Sequence, residues 1–501
     1  MQSDIIYLRT MKTISKLTIC LGVIFGLSMP GESQINNSLY FMPGVPQSNR
    51  INPAHQPNCN FYLGLPGVSP LRTNISSSSL AYGDLIYPHP SQDSLITFLH
   101  PLGSKQPLLD LLQPVNFILS ELGVSLLSVG FRTGIGFFSF DVTTRVEGSI
   151  NYPGDLARLM LNGALEGETY LLDGIGAEMS VFDEISLGWS GTFFDNLTVG
   201  ARAKALFGVA NLSTTNSELS VFTSQDVWNI QSNMLFKSSI PFAEVTYADD
   251  GMLDEIILDE ELENFDPTSF SNYSLIRDYA FNSMNFGLGV DIGVDYRPID
   301  KLLVSASVLD LGYVNWKDGV NDVSYQMEYD FTGLEINPFQ NPDDLSLGDQ
   351  IDSSLTQLTD SLSNFLTFTP GGAYSKRLNT KLFVGASFSL TPKISFGVLS
   401  RTDFLSEDIA QQFTASANLT TGRFANLSLS YSYINSYYKN IGAGVSFNVG
   451  PLNMYLISDN LLNAVIWPQE ARSMNLWFGL NLVFGYKKFM NKESTDRPLV
   501  Y

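Results

Sequence analysis

Side chains able to do chemistry are few and poorly spaced for catalysis. His55, His89 and His100 are the only histidines, and all precede the regular part of the chain. There is no Gly-x-Ser-x-Gly elbow, no His-Glu-x-x-His pair, no phosphate-cradling glycine loop and no paired-cysteine metal pattern. No catalytic, metal or cofactor site is therefore expected. The densest titratable cluster is acidic: Asp249, Asp250, Asp254, Glu255, Asp259, Glu260, Glu261, Glu263 and Asp266, with no Lys or Arg among them. Its spacing matches no calcium loop. Such a run can hold a divalent ion, bridge to surface lipids or dock a basic partner, but the favoured reading is a solvated extracellular loop. Two short motifs remain. Asn52-Pro53-Ala54 follows the polar stretch Gln47-Ser48-Asn49-Arg50 and is a candidate hatch. Ser307-Val308-Leu309-Asp310-Leu311-Gly312 leads to Trp316 and is a candidate strand-end motif. There Asp310 would cap a turn and Trp316 would sit in an interfacial aromatic belt.

The elements that must carry these residues have a period of two. In 474–486, Met474, Leu476, Phe478, Leu480, Leu482, Phe484 and Tyr486 share one face, and Asn475, Gly479, Asn481 and Gly485 lie on the other. Trp477 and Val483 interrupt that second face. The pattern recurs in 197–209, 285–297, 382–390, 426–433 and 440–449, with charges almost only on the small, polar face. A soluble sandwich would bury large apolar side chains between its sheets, whereas here the opposite face is Gly, Ser and Asn. Strands of this length and polarity suit a wall with lipid outside and a polar interior. The fold class predicted is all-β: a transmembrane antiparallel β-barrel of about 14 strands, within roughly 12 to 16, with an N-terminal plug and short loop helices.

Bulk properties agree. Lys12 and Lys16 precede the apolar run Leu17–Met29 and the small residues near Ser33, a pattern of a cleavable export signal over 1–33. No other segment has the ~20 consecutive apolar residues of a membrane helix. Only Cys59 lies outside the signal, which leaves no intramolecular disulfide. The net charge of −22 argues against nucleic acid.

Residues 34–122 are expected to form an N-terminal strand and plug or hatch region, with one or two helices over 106–122 broken at Pro114. Those helices would fill the lumen or lie on the periplasmic rim. Residues 123–501 form the barrel. Within it, 213–280 is expected to be a large acidic loop with some strand near 227–240, and 344–366 a loop helix. Tight turns alternate with longer connections, which places the short ones on the periplasmic side.

Asn52-Pro53-Ala54, the plug, the long antiparallel wall and the Ser-x-x-Asp-x-Gly strand end resemble the FadL-type barrel superfamily. Leu39-Tyr40-Phe41-Met42-Pro43 and Gly450-Pro451-Leu452-Asn453-Met454-Tyr455-Leu456-Ile457-Ser458-Asp459-Asn460 are similar to Bacteroidota outer-membrane barrels of its PorV-like branch. The resemblance implies a barrel of about 14 strands with an N-terminal hatch. For FadL-type members it implies uptake of hydrophobic molecules that leave sideways through the wall. For PorV-type members it implies binding and shuttling of proteins secreted by the type IX system. Two readings follow. The first is a non-enzymatic outer-membrane barrel that passes or binds a hydrophobic small molecule, with an apolar cavity between segment 106–122 and the wall. The second is a secretion-associated or surface interaction barrel that docks a protein partner through 213–280 and 317–370. Outer-membrane lipid is the expected surrounding in both.

Overall fold

Alternation decides which face of each strand is covered. The computed structural model describes residues 37–485 except 43, 90, 92–93, 99, 101, 248–252, 259–279, 334–355, 357–364, 406–408, 422–423, 435–436 and 462–471. The export signal, Asp249, Asp250, Asp259, Glu260, Glu261 and nearly all of 344–366 lie outside the described residues. In Ser473–Phe484, Ser473, Asn475, Trp477, Gly479, Asn481 and Val483 point inward, and the large apolar residues between them point outward. Elsewhere on the outer face Leu187, Val398 and Leu429 are more than half exposed. Summed around the wall, this apolar surface far exceeds the few hundred Å² a water-soluble monomer tolerates, so a lipid belt is its natural solvent.

The wall strands are β1 (Phe61–Gly64), β2 (Leu71–Ser77), β3 (Val115–Thr133), β4 (Gly136–Pro153), β5 (Gly176–Phe193), β6 (Leu197–Thr223), β7 (Trp228–Ser239), β8 (Phe286–Ile299), β9 (Leu302–Trp316), β10 (Val320–Phe331), β11 (Leu366–Pro370), β12 (Tyr374–Arg377), β13 (Thr380–Thr391), β14 (Ile394–Phe404), β15 (Ile409–Thr420), β16 (Ala425–Ile434), β17 (Tyr437–Val449), β18 (Leu452–Ser458) and β19 (Ser473–Phe484). They close as a 14-strand antiparallel barrel. β1 and β2 are two pieces of the first wall strand, and both pair with β3 on one side and β19 on the other. The last strand thus seals against the first.

One side of the wall is raised. β6 pairs with β8 along its first part and with β7 along its second. β7 and β8 therefore form one wall line interrupted by 240–285. β10 continues β9, and β11 and β12 continue β13 in the same way. Residues 213–223 of the expected loop are consequently wall, because their Ser, Thr and Asn residues weaken the apolar contrast that marks a strand, and the strand expected near 227–240 is β7. Asp254 and Glu255 lie on the short strand Leu253–Leu258, which pairs with Ala243–Tyr247.

The region 106–122 also differs from expectation. Only α1 (Gln106–Leu111) is helical, and from Val115 the chain is strand β3, paired with β4 with one register shift between Ser125 and Leu127. Pro114 ends the helix, and pairing on both sides then outweighs local helical spacing. α1 does not enter the lumen. It packs beside α2 (Gly154–Asn162), where the Lys105 ammonium donates to the Leu161 carbonyl at 2.5 Å. This is the end opposite the tight turns, among them the three-residue connection Phe194-Asp195-Asn196, in which Phe194 and Asp195 have φ values of 53° and 61°.

Candidate functional site

The lumen is filled by the chain's own N-terminal segment. Asn37–Phe41 and Pro46–Arg50 form two short 3-10 turns, and nearly every residue from 37 to 59 is buried. The tripeptide Asn52-Pro53-Ala54 sits in a notch cut by two wall glycines. A Cβ on Gly200 would collide with the Pro53 carbonyl, and one on Gly293 would collide with the Asn52 side-chain oxygen. Asn52 Nδ2 donates to Asp295 at 3.0 Å and to the Tyr40 hydroxyl at 3.2 Å, while its Oδ1 accepts the Ala54 amide at 2.9 Å. The last bond is an Asx turn, a local reason for Asn at this position.

Further stations hold the plug. Gln47 and Asn481 exchange side-chain hydrogen bonds at 2.6 and 3.1 Å. The Arg50 guanidinium meets Asp141 at 2.7 Å. Burial opposes the Arg50 charge, and Asp141 more than offsets it. The backbone amides of Asn37 and Ser38 both donate to Asp459. His55 lies 3.5 Å from Asp295 and edge-on to Tyr40. Burial holds its imidazole below the ordinary histidine range, although Asp295 pulls the other way. Cys59 is buried, and its thiol is pushed up to about 12 by that burial, so it is no nucleophile.

Between these polar stations the plug is apolar. Leu39, Tyr40, Phe41, Met42, Val45 and Ile51 form one buried cluster with Leu309, Phe383, Leu399, Tyr455, Ile457 and Trp477 of the wall. Three glycines make room for it. A Cβ on Gly385 would lie 2.9 Å from the Phe41 ring, and one on Gly397 would enter the same ring. A Cβ on Gly444 would lie 2.5 Å from the Met42 sulfur. The wall therefore contains an apolar pocket, occupied by Phe41 and Met42. It lies under 37–58, not beside 106–122.

Next to this pocket runs a buried charge network. Asp310 stands at its centre with φ near 60°, a left-handed conformation Asp tolerates better than most residues. It takes both guanidinium nitrogens of Arg145 at 2.8 and 3.0 Å, the Lys204 ammonium at 2.6 Å and that of Lys381 at 3.5 Å. Its amide donates to Asp291 at 2.8 Å. Asp310 is thus a lumenal hub, not a turn cap. Gly312 lets two wall strands close up, since a Cβ there would lie 2.6 Å from Gly289 Cα. Trp316 is 1% exposed and packs inward with Phe182, Leu206 and Val314, so it belongs to no aromatic belt. Arg145, Arg202, Lys204, Asp291 and Lys381 were not singled out from sequence. Their signal was present, however, as charges at inward positions of amphipathic strands.

The plug and this network fill the middle of the lumen. A cavity of about 60 Å³ lies on the side away from the tight turns, lined by Glu121, Glu147, Lys376, Lys381, Arg401 and Trp316 among others. Another of about 130 Å³ lies around Ala54–Asn58, Arg132 and Arg297. Among the described residues no group of His, Cys, Asp and Glu has the geometry of a metal site.

The model of a family of unknown function, DUF5723, matches residues 53–459. No curated protein matches the sequence. Among solved structures, the Ralstonia pickettii toluene transporter TbuX is similar at 8% identity and TM-score 0.40, over 89% of this chain and 99% of that one. A Pseudomonas aeruginosa FadL homologue is similar at 9% identity and TM-score 0.38, over 91% and 100%. The toluene transporter TodX of Pseudomonas putida is similar at 10% identity and TM-score 0.36, over 91% and 96%.

Proposed function

The chain belongs to DUF5723, a family of unknown function, so its activity has to be read from its own interior, and from that interior we propose a non-enzymatic barrel of the Gram-negative outer membrane that binds and passes a hydrophobic small molecule. One observation carries this reading. The lumen holds a built apolar pocket, and the Phe41 and Met42 side chains occupy it as a ligand would. Displacing them would expose Phe383, Leu399, Ile457 and Trp477 to a cargo of similar size. The apolar outer face supports the membrane setting.

The plug acts as the gate. Its polar stations are small sets of hydrogen bonds and a buried ion pair, which can re-form when the plug returns. Its apolar residues compete directly with cargo for one site. Toluene reproduces the Phe41 side chain and is the first probe to use. The full-length protein and its Phe41→Ala variant would be reconstituted into liposomes and toluene entry followed. The variant should admit toluene faster, because the internal competitor is gone. Equal entry through both proteins and through protein-free liposomes would overturn the reading.

A further inference from the structure

Where the end of the plug meets the charge network there is a small, partly enclosed space. It measures about 30 Å³, and Arg50, Arg72, Arg145, Arg202, Lys204 and Lys381 all border it. Only two carboxylates, Glu184 and Asp310, share that border. Asp141, Asp291 and Glu121 balance these cations from behind and do not line the space. Its surface is therefore strongly cationic although the network as a whole is close to neutral.

The donors of the arginines that border this space are not all used. The Nε atoms of Arg50, Arg145 and Arg202 are buried and have no hydrogen-bond partner. Their side chains are 7%, 3% and 4% exposed. Arg72 reaches in over Gly123, where a Cβ would collide with its Nε. It lacks any carboxylate at ion-pair distance among the described residues, the nearest acidic influences being Glu121 and Glu184. Unsatisfied charged donors are costly in a closed interior, and three in one place call for an acceptor.

We propose that this space binds a small monovalent inorganic anion of the halide class, which ties Arg50 of the plug to the cations of the wall. A space of this volume admits one small ion or about two waters. The anion completes the coordination that Asp141 gives Arg50 and supplies the partner that Arg72 lacks. It is a clasp for the closed plug. This inference rests on the plug being closed and is independent of what the barrel carries.

The test uses the full-length protein in detergent. Crystals grown in bromide should give an anomalous peak among Arg50, Arg72 and Arg202. Amide exchange of residues 37–58 should slow on adding chloride at constant ionic strength, with saturation, relative to gluconate. Arg72→Met removes a side chain with no ion pair to lose and should weaken halide binding about tenfold, as expected for one hydrogen bond to a charged group. Bromide exclusion from the cavity, with waters only, or identical exchange in chloride and gluconate, would overturn the proposal. Both measurements on the unaltered chain stand even if the variant folds poorly. Failure of toluene transport would leave the halide result untouched.

Discussion

Single residues set how firmly the lumen is closed. Asp310 holds Arg145, Lys204 and Lys381 at once, so its loss takes a carboxylate from each and leaves them only Glu147, Glu184, Asp291 and Glu121. Asp310→Ala should destabilise the folded barrel by about 3–5 kcal/mol, the usual penalty for breaking a buried pair from one side. Asp310→Asn should cost less, because Asn also accepts the left-handed backbone and retains one acceptor. Urea titration read by the gel shift of folded barrel would rank the two, and equal losses would contradict the hub role. His55 adds a pH dependence. Its pKa is depressed in the docked plug, so the docked form binds fewer protons than the released form around the ordinary value of about 6.5. Docking is thus fully favoured above that value and weakens as pH falls through it. Proteolysis of residues 37–58 should accelerate from pH 7.5 to pH 5, and His55→Gln should flatten the profile. Faster cleavage at the higher pH would contradict this sign.

At the scale of elements, the plug and the wall behind it form one packing unit. Gly397 on β14 accepts the Phe41 ring with no room for a side chain. Gly397→Val should push Phe41 out at a cost of about 1–3 kcal/mol, typical of overpacking, while leaving β14 paired. Amide exchange should then rise in residues 37–58 and stay unchanged in β14, whereas a uniform rise would mean wall damage. The wall itself was legible in sequence wherever large apolar and small polar residues alternate, as in β19. It was illegible where contrast is weak, as in the second half of β6, whose Ser and Thr residues read as loop. Segment 106–122 misled for another reason. Its spacing suits a helix, and only pairing with β2 and β4 makes its second half, from Val115, strand. The position of the plug could not be read, because residues 37–58 have no periodicity and gain their structure from contacts with distant strands.

For the molecule as a whole, fold and interior have different origins. The barrel follows from local patterning and closes because β1 and β2 meet β19. The apolar pocket follows from three glycines on separate strands, and the charge hub from residues on β4, β6, β8, β9 and β13, sites that converge only when the ring closes. Asn52-Pro53-Ala54 was recognisable as a motif, but its notch at Gly200 and Gly293 was not. The same holds for Asp310, conspicuous at a strand end yet legible as a hub only with Arg145 and Lys204 in place. These parts meet in the proposed function, in which the closed plug fills a site for a hydrophobic molecule. The most direct measurement is calorimetric titration of toluene into the Phe41→Ala protein, followed by a crystal structure of the complex. Binding should be saturable and absent from the unaltered chain, with the ring between Gly385 and Gly397. No binding, or a ring found only on the lipid-facing surface, would contradict it.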